Sequence, residues 1–99
     1  MAAAALGQPA VSSAPLTLVI AAVYQRTTGK YGFRGRRFVE LEAGHVAQNL
    51  LLQAVALGLA AVPIGSFDDQ RLAQALRLPP EHAPLYIIAV GHPRATARA

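Results

Sequence analysis

Between Ala43 and Leu57 the chain carries no ionisable side chain except His45. Alanine, leucine and valine cover most of the circumference that a helix over this stretch would have. A helix apolar nearly all round has to be buried, so the segment opening at Glu40 predicts a central core helix. Its uncharged polar residues His45, Gln48, Asn49 and Gln53 fall at i, i+3, i+4 and i+8, a narrow stripe on one face. Phe38 and Leu41 extend the spacing backwards, so the helix begins as early as Arg37. Gly58 supplies the left-handed residue that stops it. The apolar run from Leu59 to Ile64 then reads as a strand feeding the turn Pro63-Ile64-Gly65-Ser66-Phe67, where the chemistry is expected. In isolation such a turn reads equally well as an ordinary strand-to-helix connection.

So apolar a helix is hard to cover in a chain of 99 residues, 54% of them apolar and 14% charged. The surplus has three destinations: a membrane, an oligomer interface, or another part of the same protein. A membrane span needs about 20 continuous apolar residues. The best candidate, Val46 to Ile64, is interrupted by Gln48, Asn49, Gln53, Gly58 and Pro63, so no membrane partner is expected. The absence of cysteine excludes disulfides and thiolate metal sites. His45, His82 and His92 show no metal-ligand spacing. The net charge of +4 gathers at Arg26, Lys30, Arg34, Arg36 and Arg37, with Arg94 and Arg98 near the end. No recognition motif accompanies that charge, so no nucleic-acid partner is expected. The opening residues have no basic n-region and too short an apolar segment for a secretory signal, which makes the cytoplasm the default location.

Taken in order, Ala2 to Leu6 reads as the last turns of a helix stopped by Gly7 and Pro9, and Val11 to Pro15 as a small-residue linker. Leu16 to Tyr24 is a near-continuous apolar run, read as a strand covered on both faces. Gln25 to Arg37, with three glycines and five basic residues, reads as a loop. Glu40 and Glu42 fall in the early turns of the central helix, where carboxylates meet the positive end of its dipole. They read as helix-capping charges and not as a catalytic pair. Ser66 followed by Asp69 fits a capping box, opening an amphipathic helix over Asp68 to Leu78 with Leu72, Ala75 and Leu76 inward. Arg77 suits its negative end, and Pro79-Pro80 stops it. Leu85 to Val90 is a second interior strand. The fold class is α/β, an α+β sandwich of a sheet packed by a long buried helix and a shorter amphipathic one. The divisions are 1–15 as helix remnant and linker, 16–93 as the domain, and 94–99 as a basic tail.

Lys30-Tyr31-Gly32, LEAGHVAQNLLLQAVALGL, PIGSFDD and PLYIIAVGHP stand in this order, and together they resemble the C-terminal half of the nitroreductase family. Within it they look most like the SagB-type dehydrogenase branch. The resemblance implies a partial nitroreductase-like fold that binds FMN at an intertwined homodimer interface and moves a hydride through flavin N5. It implies that Pro63, Ile64, Gly65 and Ser66 form the turn against the isoalloxazine ring, with the Gly65 amide facing N5. A glycine there leaves the approach open, and its N–H can donate as electron density on N5 changes. Arg94 and Arg98 correspond to basic residues that reach the FMN phosphate, a task suited to arginine's planar fork. Lys30 and Tyr31 stand where azoline-oxidising members of the branch carry an adjacent lysine and tyrosine, one of which would take a proton. His45 matches the branch's helix motif, either as a hydrogen-bonded core histidine or as a proton carrier.

What the resemblance omits is the family's N-terminal, phosphate-binding half, to which nothing in residues 1–15 corresponds. The expectation is a fragment, a split subunit or a degenerate relative with little FMN affinity of its own. A homodimer or a companion chain would supply the missing half, with NAD(P)H as electron donor and a small molecule or peptide as substrate. The alternative is a non-catalytic remnant that acts by oligomerising or by binding a partner.

Overall fold

The computed structural model describes residue 10 and residues 13–93. The helical turns expected over Ala2 to Leu6, and Arg94 and Arg98, lie outside the described residues. Along the chain the elements are β1 (Leu16–Ala22), α1 (Gln25–Tyr31), α2 (Arg34–Ala56), β2 (Ala60–Ile64), α3 (Asp69–Leu76) and β3 (Ala83–Gly91). The strands form one sheet in the order β1-β3-β2, with β3 antiparallel to both neighbours.

Period-2 alternation along β3 decides the layering. Ile87 and Ala89 point to one face, where Ile64 of β2 and Leu72 of α3 complete a core joined by Phe67 and Leu76. Ile88 and Val90 point to the other, against Ala47 of α2, with Leu50, Leu51 and Leu59 around them. The result is the expected α+β sandwich, with the long helix on one face and the short helix on the other. Leu72, Ile87 and Ile88 are wholly buried. On β1 the pairing Ile20↔Tyr86 is followed by Ala21↔Pro84, so Leu85 is an extra residue on β3.

Several expectations need correction. The stretch 25–37 is not a loop: α1 occupies Gln25–Tyr31, and α2 already begins at Arg34. Tertiary packing overrides weak local propensity here, because Gly35 lets the two helices touch. A Cβ on Gly35 would lie 2.9 Å from the Thr28 Cα. That earlier start moves Glu40 and Glu42 out of the first turn, where Arg34 and Arg36 sit instead. The strand β1 is an edge strand whose exposed and half-buried residues alternate, not one covered on both faces.

The helix α2 is not buried all round. Its buried residues are Gly35, Ala43, Ala47 and Ala54 alone, because among the described residues only the sheet and the short helix α1 lie against it. His45, expected in the core, is exposed on the opposite side.

Both helix ends next to the sheet close in the same way. Leu59 N–H donates to the Ala54 carbonyl at 2.8 Å around Gly58, whose φ is +74°, as the glycine predicted. Leu78 N–H donates to the Ala73 carbonyl at 3.0 Å around Arg77, which adopts the left-handed φ of 55° without being glycine. The N-terminus of α3 is capped by Asp68 and not by Ser66: the Asp68 carboxylate accepts from Arg71 N–H at 3.1 Å. Of the inward residues expected on α3, Leu72 and Leu76 pack as foreseen and Ala75 is exposed.

Candidate functional site

The strand β2 reaches its last ladder pair at Ile64↔Ile87, so Gly65 stands one residue past the sheet and Ser66 two. Ile64 is buried, and Phe67 packs onto the same core, which pins the turn from both sides. Between these anchors Gly65 and Ser66 are exposed. Pro63 lies on the edge strand, where its missing N–H costs no ladder bond. The consequence is a short piece of backbone held rigidly and offered outward, which suits a flat ligand that must be approached by main chain.

Beside the turn stands Tyr86, whose Cε1 would lie 3.9 Å from a Cβ on Gly65. Tyr86, Leu85, Glu40 and Ala43 line a recess of about 290 Å³. Glu40 is held there by the residue at the start of α1: the Tyr24 hydroxyl donates to its carboxylate at 2.8 Å. The Arg36 guanidinium lies 4.0 Å from the Tyr24 ring centroid, a cation–π contact. Burial pushes the Tyr24 hydroxyl pKa above its ordinary value, and the Glu40 carboxylate adds to the rise while Arg36 opposes it.

Lys30 and Tyr31 close α1 at the other end of the same helix face. The Lys30 ammonium is 5.3 Å from the Tyr31 ring centroid, and Tyr31 meets Phe38 edge-to-face at 5.4 Å. Tyr31, Phe38, Thr27, Val39 and Glu42 line a second recess of about 440 Å³. A third, of about 450 Å³, shares Thr27, Val39 and Glu42 with the second and Ala43 and Leu85 with the first. These shared walls trace a furrow along the N-terminal half of α2, with Lys30–Tyr31 at one end and the Gly65 turn near the other. Sequence reading singled out both ends. It missed the Tyr24–Glu40–Arg36 cluster between them, for which spacing gave no signal, since Tyr24 and Glu40 lie 16 residues apart. Among the described residues there is no group of three His, Cys, Asp or Glu able to hold a metal. Nor is any helix among them long and apolar enough to cross a membrane.

A family model described as the nitroreductase family matches residues 2–92. A candidate nitroreductase of Methanocaldococcus jannaschii is 46% identical over 91 residues, which is 92% of this chain and 45% of that protein. Among solved structures, a candidate nitroreductase from Anabaena variabilis superposes with a TM-score of 0.85 at 31% identity, covering 94% of this chain and 19% of its own. The NADPH:FMN oxidoreductase of Vibrio harveyi, solved with NAD+, superposes with a TM-score of 0.77 at 31% identity, over 93% of this chain and 44% of its own. The chain therefore spans less than half the length of the curated relative it matches.

Proposed function

This chain belongs to the nitroreductase family, and from that membership we propose that it forms part of an FMN-dependent oxidoreductase. One observation carries the reading: the exposed Gly65–Ser66 backbone, clamped by Ile64 and Phe67 at the edge of the sheet. FMN fits this turn at its ring, because a planar edge can lie on main chain with no side chain at Gly65 in the way. When bound, the flavin supplies two-electron transfer as a hydride through N5.

The chain's own residues hold and orient. Gly65 N–H would donate to the ring edge, with Pro63 and Ile64 fixing the direction of approach and Ser66 next to it in the turn. The Tyr86 ring limits how far the ligand slides along the furrow. Arg94 and Arg98 are the proposed phosphate ligands. The proposed division is 16–93 as the partial nitroreductase-like domain, with 1–15 as helix remnant and linker and 94–99 as a basic tail.

For the SagB-type reading, Tyr31 with Lys30 takes the proton that a peptide azoline loses as its ring becomes aromatic. Both side chains are exposed in this chain, so a second body must dry them before either works as a base. That second body is another copy or a companion chain. In azoline oxidation the substrate itself gives the hydride to the flavin, so NAD(P)H is the proposed electron donor only for a nitroreductase-type reaction, in which an acceptor substrate is reduced. The alternative, a partner-binding module without catalysis, draws on the apolar outer face of α2.

Titration of the protein with FMN, followed by flavin fluorescence, separates the two. The oxidoreductase reading expects saturable quenching that Gly65→Val abolishes, and bleaching of the bound flavin by NAD(P)H. A colourless protein that leaves flavin fluorescence untouched, alone and with added companion chain, leaves only the partner-binding module. Azoline oxidation that survives both Tyr31→Phe and Lys30→Ala removes those residues from the mechanism.

A further inference from the structure

Between Gln25 and Val39 the chain places five basic side chains and no carboxylate. Two of the five have a place already: the Arg36 guanidinium lies over the Tyr24 ring at 4.0 Å, and Arg26 lines the middle recess of the furrow. Lys30, Arg34 and Arg37 remain, all exposed, at the corner where α1 ends and α2 begins. Among the described residues none of the three is hydrogen-bonded to a carboxylate. Arg34 and Arg37 stand three apart on one helix, a spacing at which like charges repel. They also occupy the first turn of α2, where the helix dipole disfavours cations. A fold that accepts both costs at one corner suits an anion arriving from outside.

The walls of the corner say what kind of anion. Tyr31 and Phe38 meet at 86° with centroids 5.4 Å apart, and they are 52% and 40% exposed. Two rings at right angles form a notch in which a third flat ring stacks on one and meets the other with its edge. With Thr27, Val39 and Glu42 they bound the recess of about 440 Å³, room for a small aromatic molecule. Arg34 precedes Phe38 by one helical turn, so the two share a face of α2. Glu42 lies one turn beyond Phe38, about 12 Å from Arg34 along the helix axis. Its carboxylate repels another, which leaves an acidic ligand one orientation, with the acid toward Arg34. We propose that this corner recognises a planar aromatic acid, its ring between Tyr31 and Phe38 and its carboxylate on the Arg34 guanidinium. Arginine's fork holds a carboxylate through two parallel N–H donors. Arg37, and Lys30 with its ammonium 5.3 Å from the Tyr31 ring centroid, add positive potential around it. The proposal rests on the flavin reading only in making such an acid the oxidoreductase's substrate; the recognition itself needs no flavin.

Binding is therefore measured on the chain without flavin, by equilibrium dialysis of 2-naphthoate and of its neutral counterpart 2-naphthamide. The acid should bind on the order of fivefold more tightly than the amide at low salt, and the advantage should shrink as ionic strength rises. Arg34→Gln brings the acid down to the affinity of the amide and leaves the amide where it was. Far-ultraviolet circular dichroism stays unchanged, because the side chain is exposed. Arg34→Lys keeps part of the advantage, having the charge without the fork. Phe38→Leu weakens both probes alike, since both lose the same ring contact. Equal binding of acid and amide overturns the proposal, as does failure of both to bind at millimolar concentration or an advantage that survives Arg34→Gln. FMN titration is a separate measurement at the other end of the furrow, so the flavin reading and this one fail independently.

Discussion

Two helices lie on opposite faces of the same sheet, and they are finished to different standards. The short helix α3 buries Leu72 completely, packs Leu76 beside it and turns Gln70, Arg71 and Gln74 to solvent. It is a surface helix, complete within one chain. The long helix α2 fully buries only small residues, half-buries Leu50 and Leu51 against the sheet, and leaves Phe38, Leu41, Val46, Leu52 and Val55 exposed. Small residues bring a helix close to a sheet, whereas large ones fill space between bodies. The difference teaches that α2 is an interior element of something larger than this chain. On that side the edge of the polypeptide and the edge of the core do not coincide.

The contrast is open to experiment, and the largest effect comes first. Leu72→Ala should cost about 2–5 kcal/mol in denaturant unfolding, since it empties a fully enclosed site. Leu52→Ala in the monomeric protein should change stability by about 0.5 kcal/mol or less. Comparable costs at the two sites would mean that α2's outer face is already covered. Gly35→Ala comes next, at about 1–3 kcal/mol by the same measurement, because its methyl group meets Thr28 main chain and α1 must shift off α2.

Asp68→Ala removes the cap of α3 and should lower the unfolding midpoint by the equivalent of about 1 kcal/mol. A null result there would make α3 less self-sufficient than its packing suggests. Tyr24→Phe is mild as well, about 1 kcal/mol or less, because the bond to Glu40 is exposed. Its signature is the pH profile. Burial and Glu40 raise the Tyr24 hydroxyl above 10.0, so its contribution is complete below that pH and fades as pH climbs through the raised value. Tyr24→Phe should lack that alkaline loss in a stability–pH series.

The sheet was legible because Leu16 to Tyr24, Leu59 to Ile64 and Leu85 to Val90 are largely apolar runs bounded by proline, glycine or polar residues, and each overlaps one strand. The end of α2 was legible because glycine at 58 has one physical reason to be there. The short helix α1 was not: Thr27, Thr28 and Gly29 are weak helix formers, and what holds them is a tertiary approach by Gly35 that no local pattern announces. Ser66 and Asp68 compete as caps, and the capping-box spacing pointed to Ser66 where the structure uses Asp68. At the candidate site the Gly65 turn could be seen as a turn. Its anchoring by Phe67, and the Tyr24–Glu40 bond beside it, depend on how separate segments meet. The apolar breadth of α2 was visible, but hydrophobicity alone does not say which body does the covering.

Among the described residues the middle strand of the sheet is also the last to be made. Every interstrand hydrogen bond among them joins residues 83–91 to a strand made earlier, so these three strands form no sheet until β3 has been synthesised. Until then α2 has no completed sheet beneath it. The nascent chain therefore carries its greasiest segment uncovered over that interval, which makes it a natural client for a holding chaperone.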